Sequence, residues 1–117
     1  MDVIESKIDR QSDQFRKNQE EMQVLVDDLQ AELKRAAEER SPKAITREQE
    51  SGKLPAQKKL ELLLDKNSPF LEIAPLAAKD LYDGKIHRAG YLSGIGLVGG
   101  REVCIAINDA TIKGGSM

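Results

Sequence analysis
An α/β fold, helical in its first half and β in its second, is predicted from three observations. Residues 2–40 contain neither Gly nor Pro and repeat apolar side chains at helical spacing. Two apolar runs, 86–98 and 101–108, meet at Gly99-Gly100, a strong hairpin signal because both residues adopt positive φ without strain. The second run is apolar at every position from Val103 to Ile107 and turns polar at Asn108 and Asp109. Such a strand belongs in a sheet covered on both faces. Its polar exit, followed by Lys113-Gly114-Gly115, is where α/β proteins build ligand sites. The chain stops at Met117, just past those glycines, so a fragment of a larger protein is expected.

The first element expected is one long amphipathic helix over 1–41. Ile8, Phe15, Met22, Leu29 and Ala36 recur every seven residues. Ile4 and Leu25 take the companion heptad position, which Gln11, Asn18 and Glu32 interrupt. A seam this narrow reads as a helix packing on its own protein or on a neighbouring subunit rather than as a dedicated coiled coil. Ser41-Pro42 ends it, since the residue before proline is pushed out of helical geometry. The polar stretch 42–53 reads as a linker or a frayed helical segment. Residues 54–64 form a short helix, with Pro55 in its first turn and Leu60, Leu63 and Leu64 on its apolar face. Asp65 to Pro69 makes a turn, and Phe70 to Ile73 a brief extended or helical piece.

Composition narrows the function classes. With 18 basic and 20 acidic residues the net charge is −2, so no basic field exists to attract nucleic acid. The single cysteine, Cys104, excludes an internal disulfide and fits a reducing compartment. No apolar run approaches the roughly 20 residues of a membrane-spanning helix. The opening M-D-V-I-E-S-K-I lacks the basic and apolar regions of a secretory signal. A cytoplasmic location is expected, or the mitochondrial matrix in a eukaryote after removal of a transit peptide.

Most single-residue candidates have plain structural readings. Gly94-Ile95-Gly96-Leu97-Val98-Gly99 matches the dinucleotide-binding glycine pattern, but that pattern needs a helix after it, and a strand is predicted instead. Close approach of strand backbones explains the same glycines. His87, between Lys85 and Arg88, reads as a surface loop residue. Cys104, in mid-strand, reads as a buried thiol acting as a small hydrophobe. No metal-ligand cluster and no nucleophilic triad can be assembled. Lys113-Gly114-Gly115 reads either as a plain strand-to-loop turn or as backbone N–H groups and a cation lining a phosphate- or carbonyl-binding surface.

From Leu54 onward the chain resembles the start of the carboxyltransferase (β-type) subunit of biotin-dependent acyl-CoA carboxylases. K-L-P-A-Q-K-K-L-E-L-L-L-D (53–65) is similar to the family's first helix, and N-S-P-F-L-E-I (67–73) to the turn after it. L-S-G-I-G-L-V-G-G-R-E-V (92–103) resembles its glycine-rich hairpin. N-D-A-T-I-K-G-G-S (108–116) resembles its signature at a core-strand exit, in the methylcrotonoyl-CoA form more than the propionyl-CoA form. The resemblance implies the N-terminal part of a crotonase-like spiral of β-β-α units, beginning at residue 54 and preceded by the long helix and the 42–53 linker. It implies carboxyl transfer from carboxybiotin to an acyl-CoA, with biotin as cofactor on a partner. The implied partners are acyl-CoA, a biotin carboxylase or biotin carboxyl carrier subunit, and further copies of the same subunit. The family's oxyanion glycines come later in its chains, so no catalytic residue is expected here and the fragment alone should be inactive. Asn108, Lys113, Gly114 and Gly115 carry over as residues lining or supporting the CoA pocket. The other reading kept open is a small non-catalytic interaction module with a partner-binding helix.

Overall fold
The computed structural model describes residues 1–116, which form two compact units, Met1–Glu32 and a second from Leu33 onward. Helix α1, Asp13–Glu38, supplies most of the first unit. It begins later than the predicted 1–41 helix. Asp9 and Ser12 explain the late start. Asp9 Oδ1 accepts from Gln11 N at 2.9 Å, and Ser12 Oγ donates to Asp9 O at 2.8 Å and accepts from Phe15 N at 3.1 Å. These side chains offer the backbone a turn and then an N-cap in place of continued helix. Ile4 and Ile8 therefore lie outside α1. The companion of the heptad seam is also different: Val26 is half-buried, whereas Leu25 is 64% exposed. Ile8, Phe15, Met22 and Val26 line a shallow apolar groove.

The second unit begins with the last turn of α1. Helix α2, Pro42–Glu50, follows almost at once, where a linker or a frayed helical segment was expected. The Ser41-Pro42 pair that stops α1 also starts α2. Ser41 Oγ accepts from Ala44 N at 3.2 Å, and Pro42 fills the first helical position, where no N–H is needed. Gly52, at φ 71°, takes the left-handed conformation that closes such helices. Helix α3, Ala56–Leu63, matches the predicted short helix.

Three antiparallel strands form one sheet in the order β1-β2-β3: β1 Phe70–Glu72, β2 Tyr91–Val98 and β3 Arg101–Asn108. Leu92 pairs with Ile107, Gly94 with Ile105 and Gly96 with Val103, so these side chains share one face. Ala56 and Leu60 of α3 pack there against Leu92 and Ile105, with Leu64, Phe70 and Val98 around them. The two strand glycines make this possible. A Cβ on Gly94 would lie 2.3 Å from Leu71 O, and one on Gly96 2.4 Å from Leu64 Cδ2. The predicted turn at Gly99-Gly100 forms with φ of 60° and 74°. Asp65 secures it, since its carboxylate accepts from both glycine N–H groups at 2.7 Å each. A strand follows the glycine pattern, which removes the dinucleotide reading.

Two expectations about the sheet change. Strand β2 begins at Tyr91 rather than 86, because residues 87–90 form a turn with Arg88 and Ala89 left-handed at φ 54° and 51°. Arg88 is held there by Glu72, with Nε 2.7 Å from Oε1. That contact lacks hydrogen-bond alignment, and the aligned bond is Nη2 to Oε2 at 3.3 Å. Among the described residues strand β3 is covered on one face only, and the second change concerns its cysteine. Ile105 is buried, while Cys104 and Ala106 are exposed on the opposite face, so Cys104 is not the buried thiol its apolar neighbours implied.

Candidate functional site
The exit of β3 is built around Asp109. Its N–H donates to Gly90 O at 2.9 Å, which extends the pairing of β2 and β3 by one step. Its side chain turns inward and pairs with Arg40, just beyond α1, whose Nη2 and Nε lie 2.7 and 3.1 Å from Oδ2. Both side chains are about nine-tenths buried. Asp109 Oδ1 accepts from the N–H of Thr111 at 2.9 Å and from its hydroxyl. Arg40 also donates to Ala36 O at 3.1 Å and Glu39 O at 2.7 Å, satisfying carbonyls at the end of α1. Burial by itself would raise the Asp109 pKa. Hydrogen bonds from Thr111 and Arg40, with the Arg40 charge, outweigh it and hold the carboxyl below its ordinary value.

The Lys113-Gly114-Gly115 turn hangs from this anchor. Ile112 N donates to Asp109 O at 3.0 Å and Gly115 N to Ile112 O at 2.8 Å. Asn108 Nδ2 donates to Gly115 O at 3.2 Å, bringing two of the predicted site residues together. Lys113, Gly114 and Gly115 are all left-handed, at φ 44°, 68° and 79°. The Lys113 ammonium lies 4.3 Å from the centroid of the Tyr82 ring. Thr111 and Ile112, rather than the four predicted residues, line a neighbouring cleft of about 520 Å³ together with Arg35, Arg40, Lys85 and His87.

Sequence reading placed His87 on a surface loop, but it is 8% exposed, with Nε2 3.4 Å from Glu39 Oε2. Burial first, then the Arg40 charge, push its pKa below the ordinary value, against the opposing pull of Glu39. The ring is therefore neutral at pH 7. Glu48 of α2 is 5% exposed, and its Oε2 meets no hydrogen-bond partner among the described residues. Its pKa is raised by burial and then by Asp109, with Lys59, Arg40 and Lys53 opposing. Arg40, Glu48 and Tyr82 were not singled out from the sequence. Only Arg40 carried a local signal, a cation at the end of a helix next to Ser41-Pro42. Among the described residues no cluster of His, Cys, Asp or Glu could hold a metal ion. No described helix is long and apolar enough to cross a membrane.

The chain belongs to the carboxyl transferase family, whose domain model covers residues 47–117. It is 42% identical over 115 residues to a probable mitochondrial methylcrotonoyl-CoA carboxylase β chain of Drosophila melanogaster, covering 97% of this chain and 20% of that one. It is 43% identical over 97 residues to a biotin-dependent 3-methylcrotonyl-coenzyme A carboxylase β1 subunit of Mycobacterium tuberculosis, covering 83% of this chain and 18% of that one. Its fold is similar to the geranyl-CoA carboxylase β subunit of P. aeruginosa, with TM-score 0.77 and 30% identity over 99% of this chain and 22% of that one. The chain thus spans about a fifth of the length of the relatives it matches.

Proposed function
We propose that this chain is part of the carboxyltransferase subunit of a biotin-dependent acyl-CoA carboxylase, acting on methylcrotonoyl-CoA. The observation that carries the proposal is the family match over 47–117, joined to 42% identity with a methylcrotonoyl-CoA carboxylase β chain along nearly the whole chain. Relatives from Drosophila melanogaster, Mycobacterium tuberculosis and Arabidopsis thaliana carry that substrate in their names. An acetyl-/propionyl-coenzyme A carboxylase β5 subunit matches over only 63% of the chain. In this reading residues 54–117 begin a crotonase-like β-β-α spiral, with 1–41 and 42–53 leading into it. The rest of that spiral covers the face of the sheet that carries Cys104 and Ala106.

Asn108, Lys113, Gly114 and Gly115 then line or support the CoA pocket. Lys113 contributes positive charge and the glycines a side-chain-free surface. Biotin belongs to a partner subunit and supplies the activated carboxyl group. Of the described residues, Gly99 and Gly100 do not fit it. The Gly99 and Gly100 N–H groups, paired like oxyanion donors, are both taken by the Asp65 carboxylate, so this chain stabilises no biotin oxygen through them. A hexamer is described for the similar transcarboxylase 12S, which supports homo-oligomerisation of the full-length subunit. Relatives named as mitochondrial support a matrix location in a eukaryote, or the cytoplasm in a bacterium.

The test uses the full-length subunit purified with its biotin-bearing partner. ATP- and bicarbonate-dependent carboxylation is measured with methylcrotonoyl-CoA, propionyl-CoA, acetyl-CoA and geranyl-CoA. The highest kcat/KM is expected for methylcrotonoyl-CoA. A higher value for another acyl-CoA overturns the substrate assignment, and no turnover of any overturns the activity.

A further inference from the structure
Tyr82 and Lys113 each pay a conformational penalty to be where they are: both are non-glycine residues in the left-handed region, at φ 53° and 44°. Six other non-glycine residues among those described share that region, so the strain by itself marks no site. The two strained turns meet at one contact, the Lys113 ammonium 4.3 Å from the Tyr82 ring centroid. Asp83 and Gly84 follow Tyr82, and Thr111 and Ile112 precede Lys113, and all four line the 520 Å³ cleft. The contact therefore sits at the margin of that cleft.

Arg35, Arg40 and Lys85 also line the cleft, and Arg40 and Lys113 differ in what they can offer a ligand. Arg40 spends its charge on Asp109 inside the protein. An ammonium on a ring face is oriented by the ring quadrupole yet keeps its full net charge. Tyr82 is 61% exposed, so the ring does not hold this position through burial in a core.

We propose that Tyr82 is a positioning residue for Lys113, holding its ammonium at the cleft margin to meet a phosphate of the acyl-CoA. This rests on the reading of Lys113 as a CoA-pocket residue. The side chain of a free lysine samples many rotamers, and restricting it beforehand lowers the entropy lost when the anion binds.

The experiment measures the dissociation constant of coenzyme A, and kcat at saturating acyl-CoA, for the full-length subunit with its biotin-bearing partner. Tyr82→Leu is expected to weaken coenzyme A binding about 2- to 5-fold, the range of an exposed cation–π contact, with kcat unchanged. Tyr82→Phe keeps the ring face and restores the original affinity. Lys113→Ala weakens binding at least as much as Tyr82→Leu, and the double variant matches Lys113→Ala alone. If Lys113→Ala leaves the dissociation constant unchanged, the CoA-pocket reading falls and this inference falls with it. If Lys113→Ala weakens binding but Tyr82→Leu does not, or if the two effects add, the role of Tyr82 alone is overturned. Failure of Tyr82→Phe to restore affinity overturns it as well.

Discussion

Replacing Asp109 by asparagine removes one charge from an ion pair whose two side chains are about nine-tenths buried. Breaking such a pair from one side costs about 3–5 kcal/mol, because the remaining charge stays desolvated. Asparagine keeps the shape, and its carbonyl still accepts from Thr111, which places Asp109→Asn near the lower end, about 3 kcal/mol. With a urea m-value of about 1–3 kcal/mol/M, the unfolding midpoint falls by about 1–3 M. Arg40→Met is worse by about 1–3 kcal/mol, since the bonds to Ala36 O and Glu39 O go too. The double variant Arg40→Met/Asp109→Asn leaves no buried charge and should lose less than the sum of the single losses. The sign of the pH dependence follows from the lowered Asp109 pKa. Its contribution is complete above the ordinary value of 3.8 and fades as pH falls through the lower folded value. Urea titrations followed by circular dichroism, at pH 7 and in acid, measure all of this. A midpoint for Asp109→Asn equivalent to within about 0.5 kcal/mol of the parent, or strictly additive losses, would refute the reasoning.

Gly94→Ala should destabilise by about 1–3 kcal/mol or more, read as a lower thermal midpoint, because its Cβ would lie 2.3 Å from a strand carbonyl that cannot move away. Gly114→Ala meets nothing within 4 Å, so any loss there comes from its φ of 68° and should be smaller. The lowered His87 pKa makes stability complete above 6.5 and progressively lost as pH falls below it. His87→Gln should flatten the stability profile between about pH 7 and 5, and an unchanged slope would count against a buried neutral ring. Glu48 has the opposite sign. Its raised pKa favours the folded state below 4.5 and penalises it as pH rises, so Glu48→Gln should raise the thermal midpoint at pH 7 and have little effect in acid.

The contrast between hairpin and site shows what a sequence carries. Strand β3 and the Gly99-Gly100 turn were legible because a continuous apolar run and paired glycines are local signals. Helix α3 was legible through Pro55 and the spacing of its leucines. The start of α1 at Asp13 and the presence of α2 were encoded locally as well, in Ser12 and in Ser41-Pro42. Reading Ser41-Pro42 as a stop signal alone left the second helix undecided between a linker and a frayed segment. Within the site, Asn108 and Gly115 are brought together as a turn requires, whereas Lys113 turns to Tyr82, and nothing in local spacing points to that ring.

Periodicity and turn chemistry therefore determined the helical and β halves and the hairpin, while the family was legible only as a resemblance of motifs. Those properties depend on residues a few positions apart, whose geometry the backbone itself imposes. Tertiary structure alone decided that Asp109 meets Arg40 across 69 positions of sequence, that His87 and Glu48 are buried, and that Cys104 faces outward. Burial and charge pairing are set by which distant surfaces pack together, and a side chain's identity does not specify the neighbours that will remove its water.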